Sequence, residues 1–171
     1  LGSSFRQDHP DYEVVFCAQV QGDPAIALCE RLIAENPGVA ARVLVGDTTA
    51  LRNLKLRNVW KGWQAAGSDR ICMTDSNLLL PQDYLRSLCA LWGPGVGLVS
   101  SPPVGVRPQG WGGHLECAFL NGNQARLQLA ADSLGMGFAQ GKTLFYDRAL
   151  TESLGGLEAL DADLAEDVAT T

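Results

Sequence analysis

Three polar residues, Asp75, Ser76 and Asn77, come directly after an apolar, β-prone stretch at 70–74 and directly before a second apolar run. In open α/β sheets, ligands bind beyond the carboxyl ends of the strands. A carboxylate there can hold a cation together with a diphosphate, because Mg²⁺ and Mn²⁺ favour carboxylate and phosphate oxygens. The same residue types also form turns by hydrogen-bonding to their own backbone. The residues alone therefore leave a metal site and an ordinary turn both open.

Two further carboxylate positions are equally ambiguous. Asp23 stands before Pro24 and a predicted helix, which is typical of a helix N-cap, and it could also contact a ligand. Glu166 and Asp167 lie near the predicted start of a helix, where acidic side chains complement the helix dipole. Taken one at a time, these carboxylates do not identify a function.

A glycine-rich stretch, GMGFAQGKT, departs from the phosphate-binding loop that it first suggests. The Walker pattern has four residues between its first glycine and the Gly-Lys pair. Here Gly135 leaves five and Gly137 leaves three, so a turn before a strand is the better interpretation. The chain also has no G-x-S-x-G elbow and only two histidines, which disfavours hydrolysis by a Ser or Cys triad.

The composition narrows the class of protein further. The 13 basic and 19 acidic residues give a net charge of -6, which disfavours binding to a nucleic-acid backbone. Five scattered cysteines without a CxxC pair indicate reduced thiols, and two histidines are too few for a typical zinc site, so any metal should have oxygen ligands. No apolar run approaches the roughly 20 residues of a membrane span, so this stretch of chain is expected to be soluble.

Strand-like and helix-like segments alternate along the chain. Runs of β-branched and aromatic residues predict strands at 12–18, 42–46, 70–74, 96–101 and 143–147. Apolar residues at helical spacing predict helices at 25–36, 54–67, 81–92, 114–132 and 148–154. Loops rich in Pro and Gly are predicted at 102–113 and 135–141. The alternation predicts a single α/β domain with a mainly parallel sheet flanked by helices.

Several separated segments together carry a resemblance to a known family. They are DPAIALCERLIAENPGVAARVLVG, NLKLRN, TDSN, GLVSSPPVGVRPQGWGGHLE and LGGLEALDADLAED. Their order and spacing resemble the catalytic domain of ceramide glucosyltransferases and their bacterial relatives, inverting lipid glycosyltransferases of the GT-A fold. The resemblance runs from about Phe5 to the end of the chain.

The resemblance implies a role for each carboxylate. Asp23 matches the first aspartate of the family's spaced pattern and is expected near the nucleotide of a UDP-sugar. Asp75 matches the short metal motif and would hold Mg²⁺ or Mn²⁺ against the donor diphosphate, with Asn77 standing where the family has a second Asp. Asp167 matches the expected catalytic base.

The resemblance also implies a nucleotide-binding segment. Lys55 and Asn58 match the Lys and the final Asn of the family's N-P-K-x-N-N segment, expected close to the nucleotide. Leu54 replaces the Pro of that segment, and Arg57 replaces the first Asn of its closing pair. The sequence does not select which other Arg or Lys would assist the leaving diphosphate.

By the same resemblance, residues 1–171 are one fragment of a catalytic domain. The fragment would lack the family's first strand, its closing Q-x-x-R-W motif and the hydrophobic segments that tether the full enzymes to membrane. The full-length protein is then expected to be membrane-associated, with this domain facing the cytoplasm.

The expected function is metal-dependent, inverting transfer of a hexose, glucose in the first place, from a UDP-sugar to a lipid hydroxyl such as that of ceramide. Such an enzyme would belong to glycolipid and sphingolipid metabolism. The neighbouring alternative is transfer of an N-acetylhexosamine to a hopanoid polyol. An alternative of another class is a non-catalytic module that binds sugar nucleotides or a partner protein, suggested by Asn77 in the metal motif.

Overall fold

The computed structural model describes residues 1–47, 51–161 and 169–171. Within them, the strands are β1 (Glu13–Ala18), β2 (Ala40–Val45), β3 (Arg70–Thr74), β4 (Leu98–Ser100) and β5 (Thr143–Asp147). The helices are α1 (Ala25–Glu35), α2 (Leu54–Ala65), α3 (Tyr84–Ala90), α4 (Gly110–Phe119), α5 (Ala125–Ser133), α6 (Arg148–Ser153) and α7 (Gly156–Leu160). A 3₁₀ turn, Gly2–Phe5, precedes β1. The predicted α/β fold is confirmed.

The first strands form a parallel pair. β1 and β2 align from Glu13 opposite Ala40 to Ala18 opposite Val45, and α1 makes the crossover that a parallel pair requires. The structure begins α1 one residue after Pro24, and an oxygen of Asp23 accepts a hydrogen bond from the Ala25 N–H at 2.8 Å. Asp23 therefore caps this N–H from one position before the N-cap residue, Pro24, and not from the N-cap position that the sequence predicts.

The later strands pair in a way that the alternation does not reveal. β5 lies between β3 and β4 and runs antiparallel to both. β3 and β4 are separated by a single helix, as the alternation of strands and helices predicts. The long helical segment between β4 and β5 returns the chain in the opposite direction. Residues Thr143 to Tyr146 are all buried, which is typical of a central strand, but their residue types do not indicate its direction.

The faces of β5 divide the core. Leu144 and Tyr146 pack on one side with Trp63 of α2 and Leu157 of α7. Phe145 packs on the other side with Leu88 of α3 and with β4. This alternation follows the two-residue period of a strand. The packing on both faces anchors β5 to helices, and the pairing of β5 with β3 extends this anchoring to the end of β3.

The region after β4 also departs from the predicted bounds. The helix predicted at 114–132 begins earlier, at Gly110, and so takes up the end of the predicted loop 102–113. A π-helical turn, Leu120–Gln124, joins α4 to α5. The Gly155–Gly156 pair does not end the helical region: Gly155, with φ of 104°, lies between α6 and α7. Among the described residues, no helix has the length and apolarity needed to cross a bilayer.

Candidate active site

A cleft of about 1020 Å³ opens between β1 and β3. Both strands start beside the carboxyl end of α2, where the Gly67 N–H donates to Glu13 Oε1 at 2.6 Å, and their carboxyl ends border the same cleft. The cleft is lined by the five described residues that the sequence proposes for the site: Asp23, Lys55, Asn58, Asp75 and Asn77. The fold therefore gathers positions that are far apart in the chain at the carboxyl ends of two strands, which belong to different sheets among the described residues. Ligands of α/β proteins commonly bind at such strand ends.

Asp75 and Asn77 share one cationic partner that the sequence reasoning missed. The ammonium of Lys142 lies 2.6 Å from Asp75 Oδ2 and 3.3 Å from Asn77 Oδ1. The Lys142 and Asp75 side chains are 37% and 34% exposed, so the pair remains open to solvent and to ligands. No sequence signal identifies this contact, because it depends on the antiparallel pairing of β5 with β3.

The chemistry of these atoms fits a hard divalent cation. Asp75 and Asn77 offer a carboxylate and an amide oxygen, and both point at one positive charge, the Lys142 ammonium. In residues 1–47, 51–161 and 169–171, no group of three or more His, Cys, Asp or Glu is clustered for metal binding. A cation held by Asp75 and Asn77 would complete its coordination with phosphate oxygens and water, as Mg²⁺ commonly does.

Asn58 is already engaged by its neighbours. Its amide donates to the Cys17 carbonyl at 3.0 Å, and its oxygen accepts from the ammonium of Lys61 at 2.5 Å. Lys61 also donates to the carbonyls of Ala18 and Gly46, and burial lowers its pKa from the ordinary value for lysine. Asn58 and Lys61 thus bind α2 to the carboxyl end of β1, which shapes this wall of the cleft.

Lys55 lies in the first turn of α2, and its position depends on a cap. The Asn53 side chain accepts hydrogen bonds from the N–H groups of Lys55 at 2.9 Å and Leu56 at 3.2 Å. Asp161 in turn accepts from the N–H groups of Asn53 and Arg52, each at 2.7 Å to one carboxylate oxygen. These backbone donors lower the pKa of Asp161. The same hydrogen bonds connect the end of α7 to the start of α2.

Asp167, the predicted base, lies outside the described residues. The described residues on either side of its segment contact two elements near the cleft. Asp161 binds the start of α2, whereas the Thr171 hydroxyl accepts a hydrogen bond from the Ala139 N–H at 2.9 Å in the glycine-rich loop.

The overall architecture matches that of a solved glycosyltransferase. It superposes on the mannosyltransferase PcManGT from Pyrobaculum calidifontis, solved in complex with GDP-Man and Mn²⁺, with a TM-score of 0.70. The match covers 98% of this chain and 44% of that one at 22% sequence identity, and it defines the GT-A fold.

The sequence then assigns the family. The chain matches Glycosyl transferase family 21 over residues 1–171 and belongs to that family. It is 25% identical over 169 residues to ceramide glucosyltransferase 1 of Caenorhabditis elegans, covering 98% of this chain and 36% of that protein. It is 38% identical over 96 residues to the ceramide glucosyltransferase of Komagataella phaffii, covering 53% of this chain and 19% of that protein. The chain thus spans about a third or less of these relatives, and the family resemblance seen in the sequence is confirmed.

Proposed function

We propose that the protein containing this chain transfers a hexose from a nucleotide-diphosphate sugar to a lipid hydroxyl, with UDP-glucose as donor and ceramide as acceptor. The observation that carries the proposal is the cleft at the carboxyl ends of β1 and β3, where the oxygens of Asp75 and Asn77 converge on one positive charge. The family and the names of the relatives support the reaction class and the lipid acceptor.

In this proposal the donor occupies the cleft with its nucleotide near Asp23, Lys55 and Asn58. Asp75 and Asn77 hold Mg²⁺ or Mn²⁺. When bound, such a cation neutralises the charge that develops on the departing diphosphate. Asn58 and Lys61 connect α2 to β1 and so hold in place the wall of the cleft that would contact the nucleotide. A wall held in this way favours a fixed orientation of the donor.

Asp167 is proposed as the base. In an inverting transfer, the lipid hydroxyl attacks the anomeric carbon from the face opposite the diphosphate, and a carboxylate accepts its proton as the new bond forms. Support comes from the membership of the chain in Glycosyl transferase family 21 and from the match of Asp167 to the expected base in the family resemblance.

An exposed apolar face of α4 supports a lipid acceptor. Trp111, Leu115 and Phe119 recur at four-residue spacing on α4 and are 79%, 53% and 59% exposed. Residues so spaced share one face of a helix, and Trp is favoured where an apolar phase meets water. We define these three residues as the α4 stripe and propose that it faces the lipid acceptor or the membrane that contains it.

The remaining part of the proposal concerns the longer protein. We propose that residues 1–171 are a fragment of its catalytic domain, and that a further strand fits between β1 and β3. Consecutive residues of both strands line the cleft, so the strand edges, and not only their faces, border the open space. The apolar residues Val14 to Cys17 are only half-buried, in contrast to the buried residues of β5.

The test is an assay of the full-length protein in detergent with Mg²⁺ or Mn²⁺. Donors are UDP-glucose, UDP-N-acetylglucosamine and, for comparison, GDP-mannose. Acceptors are ceramide and a hopanoid polyol, and products are weighed by mass spectrometry. We expect hexosyl-ceramide, a loss of about 10²–10⁴-fold in turnover with Asp167→Asn, and normal turnover with the exposed control Asp8→Asn.

Two other outcomes separate the alternatives. An N-acetylhexosaminyl hopanoid as the main product would replace the glucose and ceramide assignment while keeping the reaction class. A folded protein that binds UDP but makes no glycolipid from any of these pairs would favour the non-catalytic module.

A further inference from the structure

The position of Lys142 follows directly from the sheet. In the β3–β5 ladder, Arg70 pairs with Asp147 and Thr74 pairs with Thr143. One step beyond the last pair, Asp75 stands opposite Lys142, and directly opposed residues of opposite charge on antiparallel strands attract each other. Thr143 is buried and hydrogen-bonded to the Tyr84 hydroxyl, so the backbone next to Lys142 is well anchored.

The Lys142 ammonium faces a carboxylate, whereas the Lys61 ammonium faces carbonyl and amide oxygens. The chain has a net charge of -6 and contains three lysines, Lys55, Lys61 and Lys142. Lys61 is committed to the oxygens of Ala18, Gly46 and Asn58. Lys142 contacts Asp75, which lines the cleft, and about a third of the Lys142 side chain is exposed.

The contact of Lys142 differs from an ordinary surface ion pair because its ammonium binds two side chains. Exposed ion pairs contribute little to stability, because solvent screens them and two flexible side chains must be ordered. Here one ammonium bridges two oxygens, Asp75 Oδ2 and Asn77 Oδ1. A diphosphate arriving beside the Asp75 carboxylate would be repelled unless positive charge is already present.

We propose that Lys142 is a donor-binding residue. Its ammonium holds Asp75 and Asn77 together in the free protein, and it binds the diphosphate of the nucleotide sugar when the donor enters the cleft. The inference rests on the proposed function, because it takes the ligand to be a nucleoside diphosphate. The proposal also gives a role to the GMGFAQGKT stretch. Its lysine, Lys142, would contact phosphate although the stretch is not a Walker loop.

The proposal predicts that removal of the Lys142 ammonium changes metal affinity and nucleotide affinity in opposite directions. Before the donor binds, the ammonium competes with a divalent cation for the same two oxygens, so its removal should strengthen metal binding. Once the donor binds, the ammonium contacts phosphate, so its removal should weaken nucleotide binding, most clearly without metal. A purely structural lysine would not move these affinities in opposite directions.

The test uses the intact protein with three variants. Lys142→Met removes the charge and keeps most of the side-chain length, Lys142→Arg keeps the charge, and Arg31→Met removes a charge from an exposed ion pair on α1. Calorimetry measures UDP binding with a chelator present, and electron paramagnetic resonance measures Mn²⁺ binding without nucleotide. Circular dichroism melts check that each variant is folded.

For Lys142→Met we expect roughly tenfold weaker UDP binding without metal and Mn²⁺ binding that is several-fold tighter. Lys142→Arg should retain UDP binding, and Arg31→Met should match the wild type in both titrations. Unchanged UDP binding in Lys142→Met would overturn the proposal, whatever the Mn²⁺ result, and would leave Lys142 as a counter-ion of Asp75. A wild-type protein that binds no nucleoside diphosphate even with Mn²⁺ would instead overturn the proposed function itself.

Discussion

Asp161 shows how one carboxylate organises the start of α2, the helix that we propose contacts the nucleotide. It accepts hydrogen bonds from two successive backbone N–H groups, those of Arg52 and Asn53, directly before α2. Asp161 satisfies these two N–H groups, which directly precede the helix. In return, the two hydrogen bonds stabilise the ionised carboxylate over the protonated one. Asp161 lies in the same DADLAED segment as Asp167, and this segment carries part of the family resemblance.

The lowered pKa of Asp161 gives a pH prediction. The N–H groups of Asn53 and Arg52 hold this pKa below the ordinary aspartate value. A carboxyl group of this kind stabilises the fold fully above its unfolded-state pKa, and the stabilisation is lost as pH falls through the folded-state pKa. The free energy of unfolding should therefore fall below about pH 4, and Asp161→Asn should make that fall shallower.

Urea unfolding between pH 6 and pH 3 measures this effect. The control is Glu30→Gln, which removes an exposed carboxylate on α1. If Asp161→Asn and Glu30→Gln show the same dependence as the wild type, the Asp161 contacts do not contribute to acid stability.

At the scale of elements, α2 is the helix that organises the cleft. It carries Lys55 and Asn58 on one wall of the cleft, binds the end of β1 through Lys61, and buries Trp63 in the core. Its start is set by the Asn53 cap, and Gly62 allows a close approach to β1, since a Cβ there would lie 2.8 Å from Cys17 Sγ. Packing and the proposed donor binding therefore depend on the same helix.

Removal of the Asn53 cap should affect both stability and binding. Asn53→Ala removes the oxygen that accepts from Lys55 and Leu56, and we expect a loss of about 1 kcal/mol in the free energy of unfolding. Nucleotide affinity should fall as well, because the first turn that carries Lys55 loses its anchor. Asn53→Asp keeps the acceptor and should restore most of the stability in urea unfolding. Equal stability of the Ala and Asp variants would contradict the capping role.

The α4 stripe gives a second prediction at this scale. Replacing Trp111, Leu115 and Phe119 by Ser should leave the fold intact, because all three side chains are exposed. It should weaken sedimentation of the protein with lipid vesicles and raise the apparent KM for the lipid acceptor, while UDP binding stays unchanged. The control is Leu91→Ser, at an exposed leucine beyond α3. Vesicle binding and KM equal to the wild type would show that the stripe does not face lipid.

At the scale of the whole molecule, the proposed strand between β1 and β3 predicts a difference between this chain and the longer protein that we propose contains it. A strand inserted there would hydrogen-bond to the free edges of both strands. Amide hydrogen exchange of 14–17 and 71–73 should therefore be slower in the intact protein than in the isolated 171-residue chain. The amides of 144–146, in the buried strand β5, serve as the control and should be protected in both. Equal exchange of β1 and β3 in the two proteins would contradict an inserted strand.

Local patterns in the sequence were sufficient for much of this fold. β3 and β5 have the bounds that their β-prone residues predict, Asp23 caps the start of α1, and α2 begins at Leu54 as predicted. These features depend on propensity, capping and turn chemistry within a few residues, so one sequence carries the information. The α/β class and the family follow from the order of such segments.

Only the tertiary structure decided which side chains meet. The direction of β5 depends on how a buried apolar strand is connected and packed, which its own residues do not encode. That direction brings Lys142 to Asp75 and Asn77, and the end of α7 brings Asp161 to the start of α2. The sequence by itself determined the candidate carboxylates and their likeness to a family of glycosyltransferases. The cations and backbone donors that surround them depend on contacts between residues distant in the chain, and these exist only after folding.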